Sequence, residues 1–326
     1  MSKTLNGYIG IDVAKATLQV HIRKTKGEGR DLTFDNNEAG HKALVKAVGK
    51  RSYRVVLEPT GTYHFDLALH LAARPNLSVM VVQPKAAKDF ASALMSRAKN
   101  DRVDAIILAE LAERGRFVAW NPPPQDLLEL RETARLLRTT SVDRTRLINR
   151  IEGCLSARVR GVLEAQKKSI EAVLKQLEEL VDELMKASSA SSIAEAIQEM
   201  PGFAVRSTGY VLGEFASLPK DLAAKQVVAF AGLDPRQRDS GRREGKRRIS
   251  RVGNKVLRHA LYMPSLHAIR RIEPLKAFYE RLVERGKPKK VAIVAVMRKL
   301  LTILWRMYQT GDAFDPQKIR PVALTN

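Results

Sequence analysis

Four carboxylates occupy positions from which they could serve one chemical site. Asp12 follows the apolar run "YIGI" and Glu58 follows "RVVL", so each comes at the end of a predicted strand. Asp101 and Asp104 are three residues apart at the start of a predicted helix and so share one face of it. Taken singly, each acid is explained as a turn former or a helix-terminal residue. Gathered together, they would repel one another strongly unless divalent cations neutralised them, and such oxygen ligands suit Mg²⁺.

The elements around these acids indicate how they could meet. Hydrophobic periodicity predicts the order β-β-β-α-β-α-β-α, and the first three strands are joined too closely for crossover helices, so they form an antiparallel meander. This is the order of the ribonuclease H-like fold, in which the first and fourth strands are neighbours and the last helix packs across their ends. The fold would bring all four acids together, where one or two Mg²⁺ ions could activate a scissile phosphate.

A second group of candidate side chains lies in a basic segment far along the chain. Between Arg236 and Arg258, ten Lys or Arg residues face two acids, and no aromatic residue interrupts them. Such a run is typical of a surface that holds nucleic-acid phosphates with salt-dependent affinity. Ser240 stands in an Asp-Ser-Gly turn within it, and its surroundings in the sequence alone favour a solvated turn. The predicted phosphate contacts are Arg236, Arg238, Arg242, Arg243, Lys246, Arg247, Arg248 and Arg251.

The composition favours a nucleic-acid partner over a membrane. The 326-residue chain carries 57 Lys and Arg against 35 Asp and Glu, a formal net charge of +22. Its most apolar stretch, residues 291–308, is interrupted by Arg298, Lys299 and Arg306, which predicts a helix that does not span a membrane. The single cysteine, Cys154, excludes an intrachain disulfide, and we expect it to be packed in a helix. The predicted location is the bacterial cytoplasm, in association with the nucleoid.

Three parts are predicted along the chain. Residues 1–120 form the α/β domain, after which the run "NPPP" breaks regular structure. Residues 121–190 are helical, and their apolar side chains recur at three- and four-residue steps that fit either a hairpin covering its own core or a coiled-coil dimer contact. Residues 191–326 form a mostly helical domain that contains the basic segment.

Stretches in both end domains resemble one known family. "IGIDVAK", "LEPTGTYH" and "KNDRVDA" contain the four acids and resemble the Asp-Glu-Asp-Asp signature of a RuvC-like transposase domain. "AFAGLDPRQRDSGRREGKRRISRVGN" resembles the family's C-terminal signature, Gly-Leu-x-Pro followed by Ser-Gly and a basic run. The family is named for insertion sequence one-hundred-ten and includes the Piv-type DNA invertases. The resemblance is collinear over nearly the whole chain.

This resemblance implies a reaction and a set of partners. Ser240 matches the family's catalytic nucleophile, which attacks a DNA phosphate and leaves a 5′-phosphoserine link and a free 3′-hydroxyl. Asp12, Glu58, Asp101 and Asp104 match its metal-binding acids, so the implied cofactor is Mg²⁺. The implied partners are donor and target DNA, a non-coding bridge RNA that pairs with both, and further copies of the chain. Those copies would form dimers that join in a tetrameric synapse, where acids and serine meet between protomers.

Two other functions fit the same residues. A RuvC-like nuclease or junction resolvase that hydrolyses DNA with water would need the four carboxylates and could dispense with Ser240. A nucleic-acid-binding protein without catalysis would keep the basic segment and tolerate the loss of Asp12, Glu58 or the Asp101/Asp104 pair. The position of the acids at strand ends, in the right topological order, favours an enzyme over this last reading.

Overall fold

The computed structural model describes residues 4–25, 29–59, 61, 63–94, 101–236, 248–250 and 252–319, with the backbone alone at Arg236, Arg248 and Lys318. The chain divides into two compact units, Met1–Pro122 and Pro123–Asn326. Among the helices in these ranges, none has the length and apolar character that crossing a membrane requires.

A five-stranded sheet forms the centre of the first unit. In space its strands follow the order β3-β2-β1-β4-β5. β1, β2 and β3 pair antiparallel, which confirms the predicted meander, whereas β4 pairs parallel with both β1 and β5. The first and fourth strands are therefore neighbours, as expected. The strands are β1 (Gly7–Val13), β2 (Thr17–Lys24), β3 (Arg30–Asp35), β4 (Tyr53–Leu57) and β5 (Leu77–Val81).

Helices cover both faces of this sheet. On one face Ile9 of β1 is buried in a cluster with Leu44 of α1 and Leu67 of α2. On the other face Val56 of β4 is buried with Leu108 of α4. With both faces covered, β1 and β4 carry apolar side chains in almost continuous runs. The helices are α1 (Glu38–Val48), α2 (Phe65–Ala72), α3 (Pro84–Ala93) and α4 (Asp101–Arg114).

The second unit is mostly helical, as predicted. Its described part also holds a short antiparallel pair of strands, β6 (Pro235–Arg236) and β7 (Arg248–Ile249), which the sequence did not predict. The helices are α5 (Gln125–Glu152), α6 (Ala157–Ala187), α7 (Ser191–Gln198), α8 (Val205–Phe215), α9 (Ala224–Phe230), α10 (Lys255–Arg271), α11 (Glu273–Glu284) and α12 (Lys289–Thr310).

Helices α5 and α6 form the hairpin that one reading of the apolar pattern predicted. Leu174, Val181 and Met185 of α6 are buried in the core of the second unit. The coiled-coil dimer contact stays a prediction. Cys154 is half-buried in the connection between the two helices, so the expectation that it is packed in a helix is wrong. The reason is local, because α5 ends at the residue before Gly153, which caps it.

The apolar stretch of residues 291–308 is helical, as expected, and the structure shows that it contributes to the core. It lies in α12, whose Trp305 is 1% exposed. The Trp305 ring packs edge-on against Phe215 of α8 with centroids 5.0 Å apart, and its Nε1 donates a hydrogen bond of 2.9 Å to the Leu222 carbonyl oxygen. An aromatic ring with one satisfied polar atom thus anchors this core.

Candidate active site

The ends of β1 and β4 place two of the predicted acids at one edge of the sheet. The parallel register of these strands ends with Ile11 opposite Leu57. The next residues along the two strands are Asp12 and Glu58, so their backbones are neighbours at this edge. Since side chains alternate along a strand, Asp12 lies on the same face as Gly10, which is the face covered by α4.

The other two acids approach Asp12 from the start of α4. Asp101 and Asp104 lie in its first turn, and α4 packs along β1, β2 and β4. Burial raises the pKa of the Asp12 carboxyl above its ordinary value, and the negative charges of Asp101 and Asp104 raise it further, against a hydrogen bond from the Val13 N–H. The fold therefore brings these three carboxylates within range of mutual repulsion.

The negative charges at this edge favour a bound cation, but the side chains that the structure describes do not stand close enough together to coordinate one. The charges of Asp101 and Asp104, which raise the pKa of Asp12, would be neutralised by a divalent ion bound beside these acids. In the ranges that the structure describes, however, no three Asp, Glu, His or Cys side chains stand close enough together to hold a metal ion. The donor set thus fits Mg²⁺ in its chemistry, and metal binding would require these side chains to converge.

Contacts with the meander fix α4 above the sheet. A Cβ on Gly10 would lie 1.9 Å from the Ala105 carbonyl oxygen, so only a glycine allows the helix to sit this close to β1. Arg102, between the two acids of α4, donates from Nε to Asp31 of β3 over 2.7 Å. The other oxygen of Asp31 lies 2.7 Å from His21 Nδ1, and these hydrogen bonds, that with His21 first, lower the pKa of Asp31.

Asn36 connects the chain that follows Asp12 with the chain that follows Glu58. Its Nδ2 donates to the carbonyl oxygens of Ala14, at 2.9 Å, and Tyr63, at 3.1 Å. Its Oδ1 lies 2.9 Å from Nε2 of His41, a buried side chain whose pKa is lowered by burial and then by the nearby His70. Neither Asn36 nor the Asp31–Arg102 pair was predicted from the sequence, because neither belongs to a local pattern.

The described residues of the basic segment are its two ends. β6 and β7 pair Pro235 with Ile249 and Arg236 with Arg248. Ser250 Oγ donates to Asp234 Oδ1 over 2.6 Å, and the Ser250 N–H donates to the Asp234 carbonyl oxygen over 2.9 Å. The remaining predicted residues lie outside the described part of the chain, namely Ser240, Arg238, Arg242, Arg243, Lys246, Arg247 and Arg251.

Two glycines let the chain pack tightly beneath this strand pair. Gly232 and Gly253 both have positive φ, +65° and +147°. A Cβ on Gly253 would lie 2.3 Å from the Phe230 carbonyl oxygen, which accepts a 2.7 Å hydrogen bond from the Asn254 N–H. Arg258 Nη1 donates to the Ala231 carbonyl oxygen at 2.7 Å. The two ends of the basic segment are therefore held side by side.

The β6–β7 strand pair and the residues packed beneath it form the base of the basic segment. The buried carboxylate of Glu214 joins this base to the long helix α5. Glu214 of α8 is 1% exposed and accepts two hydrogen bonds from Arg135, of 2.6 and 2.9 Å, and one of 2.6 Å from Asn254 Nδ2. Burial acts to raise the pKa of Glu214, but the Arg135 hydrogen bonds and the charges of Arg131 and Arg135 outweigh it, so this pKa is lowered. Asn254 also caps α10, because its Oδ1 accepts the N–H groups of the first turn.

Comparisons with known proteins match both parts of the chain. Residues 9–158 match the IS110 DEDD model, described as "Transposase", and residues 194–280 match the model described as "Transposase IS116/IS110/IS902 family". These two stretches contain the acids at the sheet edge and the basic segment, respectively.

Full-length relatives agree with the family models. The pilin gene-inverting proteins of Moraxella bovis and Moraxella lacunata are each 30% identical over 324 residues, covering 97% of this chain and 98% of theirs. The transposase for insertion sequence element IS1111A of Coxiella burnetii is 27% identical over 259 residues, covering 66% of this chain and 68% of its own. Because the similarity spans both units, the chain belongs to the IS110 family of DNA transposases and recombinases.

Proposed function

We propose that this transposase cuts and rejoins DNA through attack by Ser240 on a DNA phosphate, next to Mg²⁺ held by Asp12, Glu58, Asp101 and Asp104. The observation that carries the metal part of this proposal is the arrangement of Asp12 beside Asp101 and Asp104 at the sheet edge, where burial and the two neighbouring charges raise the pKa of Asp12, because carboxylates are rarely gathered without a cation. The strand order supports a ribonuclease H-like, RuvC-like fold for this domain.

The proposed step exchanges one phosphoester for another. Ser240 Oγ attacks phosphorus, the Oγ–P bond forms and the P–O3′ bond breaks, leaving a 5′-phosphoserine and a 3′-hydroxyl that takes up the proton. Bound Mg²⁺ would supply stabilisation of the developing phosphate charge. The arginines of the basic segment would stabilise the same charge and hold the flanking phosphates. Rejoining is the reverse attack, by the 3′-hydroxyl of the new partner strand.

Two observations support Ser240 as the nucleophile. The chain belongs to the family, and the segment that carries Ser240 has a fixed base. The segment begins and ends in a strand pair fixed by Asp234 and Ser250, and by Asn254 with Glu214. A rigid base of this kind suits a side chain that must attack in line. The three-part division at residues 120 and 190, the tetrameric synapse and the association with the nucleoid are further parts of the proposal.

We also propose that a bridge RNA guides the choice of donor and target DNA. Family membership and the net charge of +22 support this, since sequence choice by base pairing leaves the protein to hold backbones. Sequencing the RNA that copurifies with the protein, expressed from its intact element, tests it. RNA from the element with loops complementary to both DNA partners is expected, and its absence would contradict the guide.

The chemistry is tested on protein expressed with its intact element. After denaturation and digestion, mass spectrometry should find a nucleotide on the peptide that contains Ser240, and Ser240→Ala should abolish that adduct. Ser169→Ala is the matched control, because Ser169 is an exposed serine of helix α6 outside the basic segment. DNA nicking that persists in Ser240→Ala and is lost in Asp12→Ala would instead establish the water-using nuclease.

A further inference from the structure

The exposed face of α10 carries side chains that the reaction proposed above does not use. From Lys255 to Arg271, α10 contains four Lys or Arg residues, two His and no Asp or Glu. The distance along the helix from Lys255 to Arg270 is about 22 Å. The exposed side chains recur at three- and four-residue steps and so share this face; they are Lys255, His259, Tyr262, Met263, His267 and Arg270.

Two large apolar side chains lie in the middle of this face. Tyr262 is 45% exposed and Met263 is 57% exposed, although the opposite side of the same helix buries Leu257, Leu261 and Ala268 in the core. Scattered exposed apolar residues are ordinary, but adjacent ones between cations form a surface that could bind a partner. A partner that fits must offer both negative charge and a flat apolar group.

A further cation approaches the same face from α5. Burial lowers the pKa of His259, and the nearby charge of Arg138 lowers it further. The His259 ring also lies 6.0 Å from the ring of Tyr210. Within the described residues, the Nε of Arg138 is buried without a hydrogen-bond partner. Positive charge therefore gathers beside α10, and a phosphate placed there would relieve it.

We propose that the exposed face of α10, with Arg138 beside it, binds a single strand of DNA. Cations that track phosphates and an aromatic ring on which a base stacks are the features of single-strand binding surfaces. DNA is the substrate of this family. The face starts at Lys255, in the last part of the basic segment, so DNA bound by that segment would continue along it. The inference thus rests on the proposed binding of DNA by that segment.

Fluorescence anisotropy of the full-length protein with a labelled thymine oligonucleotide of about 20 nucleotides tests this surface. Tyr262→Ala should weaken binding about tenfold at every salt concentration, because a stacked base is lost and no charge changes. Arg270→Gln should weaken binding about threefold to tenfold and reduce the slope of log K against log salt by about 0.7, as expected for one lost phosphate contact.

Two control variants remove an exposed apolar side chain and an exposed positive charge at sites away from α10. Val162→Ala removes an apolar side chain of α6 that is 70% exposed, and Lys175→Gln removes an exposed charge of the same helix. Both should bind like the wild type. Affinities of Tyr262→Ala and Arg270→Gln within about twofold of these controls would overturn the inference. So would losses confined to a uridine RNA oligonucleotide or to duplex DNA.

The result can be separated from the test of Ser240. Tyr262→Ala should still form the phosphoserine adduct at saturating DNA, whereas Ser240→Ala should bind the oligonucleotide normally and form none. If the adduct forms and the α10 variants bind normally, the α10 inference alone is wrong. If the α10 variants bind weakly and the wild type forms no adduct, the serine chemistry alone is wrong.

Discussion

The backbone of Gly10 in β1 touches the backbone of α4 at Ala105, where a Cβ on Gly10 would stand 1.9 Å from the carbonyl oxygen. The same Cβ would lie 2.4 Å from the Ala109 nitrogen, so two successive turns of α4 pack directly against Gly10. Because neither contact involves a flexible side chain, a methyl group can be accommodated only by moving α4. That helix carries Asp101 and Asp104, so its position decides their distance from Asp12.

Gly10→Ala is therefore expected to reduce both stability and activity. Overpacking of this kind costs about 1–3 kcal/mol of unfolding free energy, and strand cleavage should fall more than the loss of folded protein explains. The measurements are urea unfolding and cleavage rate per folded molecule. Gly161→Ala is the control, since none of the described residues has an atom within 4 Å of its Cβ and Ala is preferred in helix α6 by about 1 kcal/mol. Full activity of Gly10→Ala would show that the position of α4 does not set the site.

Neutralising Asp12 should stabilise the metal-free protein while abolishing strand cleavage. The folded-state pKa of Asp12 is raised, so the folded chain holds this proton more tightly than the unfolded chain. Unfolding free energy therefore falls as pH rises through that raised pKa, and at neutral pH the charged carboxylate is a net cost. Asp12→Asn removes the cost, and because Asp12 is only half-buried we expect a gain in Tm of roughly 2 °C in EDTA.

Added Mg²⁺ should reverse that order. The wild type gains stability by binding the ion, whereas Asp12→Asn has lost a ligand and gains less. Asp89→Asn serves as control, because Asp89 makes an exposed ion pair with Lys85 and its loss should change the unfolding free energy by about 0.5 kcal/mol or less. A Tm of Asp12→Asn below that of the wild type in EDTA would contradict the repulsion inferred among the three acids.

The sequence predicted the carboxylates at the sheet edge because each stands in a local pattern. Asp12 and Glu58 follow apolar runs, and the short links of the first three strands determine which strands pair. The structure then added contacts that have no local signal. Asn36 joins Ala14 to Tyr63, and Asp31 joins His21 to Arg102, across separations of up to 71 residues. Such hydrogen-bonded pairs depend on tertiary packing, and hydrophobic periodicity cannot predict them.

In the second unit, too, local sequence patterns predicted some features and missed others. Its helices follow from apolar spacing, but β6 and β7 have two residues each, too few for any alternation to predict. Glu214 looks like a surface acid in sequence, and only the fold reveals that Arg135 and Asn254 enclose it. The prediction that Cys154 lies in a helix was wrong for a related reason. The connection that contains Cys154 is only a few residues long and stands between two helical patterns.

Stability of the second unit should depend on Glu214 at acid pH. Its folded-state pKa is lowered, so the charged form stabilises the fold above the ordinary glutamate value of about 4.3, and this stabilisation is lost as pH falls through the lower folded value. Glu214→Gln should flatten that acid dependence and cost about 1–3 kcal/mol at neutral pH, since Arg131 and the partly exposed Arg135 lose the charged partner that Glu214 gives them. Fluorescence of Trp305 in a Trp120→Phe background reports on this unit alone. An unchanged acid profile in Glu214→Gln would show that another group titrates.

Substitutions of Asn254 should separate its two hydrogen-bonding roles. Ser and Asp are both good caps, so Asn254→Ser and Asn254→Asp preserve the end of α10, whereas Asn254→Ala loses the cap at a cost of about 1 kcal/mol. Asn254→Asp also sets a carboxylate against Glu214, whose oxygen lies 2.6 Å from the present Asn254 nitrogen. We therefore expect Asn254→Asp to be less stable than Asn254→Ser at neutral pH, with the gap closing at acid pH as one carboxyl takes up a proton.

The double variant Asn254→Asp with Glu214→Gln completes this test. Gln can donate to Asp, so the two substitutions together should cost less than the sum of their separate costs, by about 1–3 kcal/mol. Urea unfolding of the four proteins gives this coupling directly. Because Asn254 stands at the base of the basic segment, the amount of phosphoserine adduct should follow the same order as stability. If the losses of unfolding free energy are strictly additive, the Glu214–Asn254 hydrogen bond does not help to hold the base of the basic segment against α8.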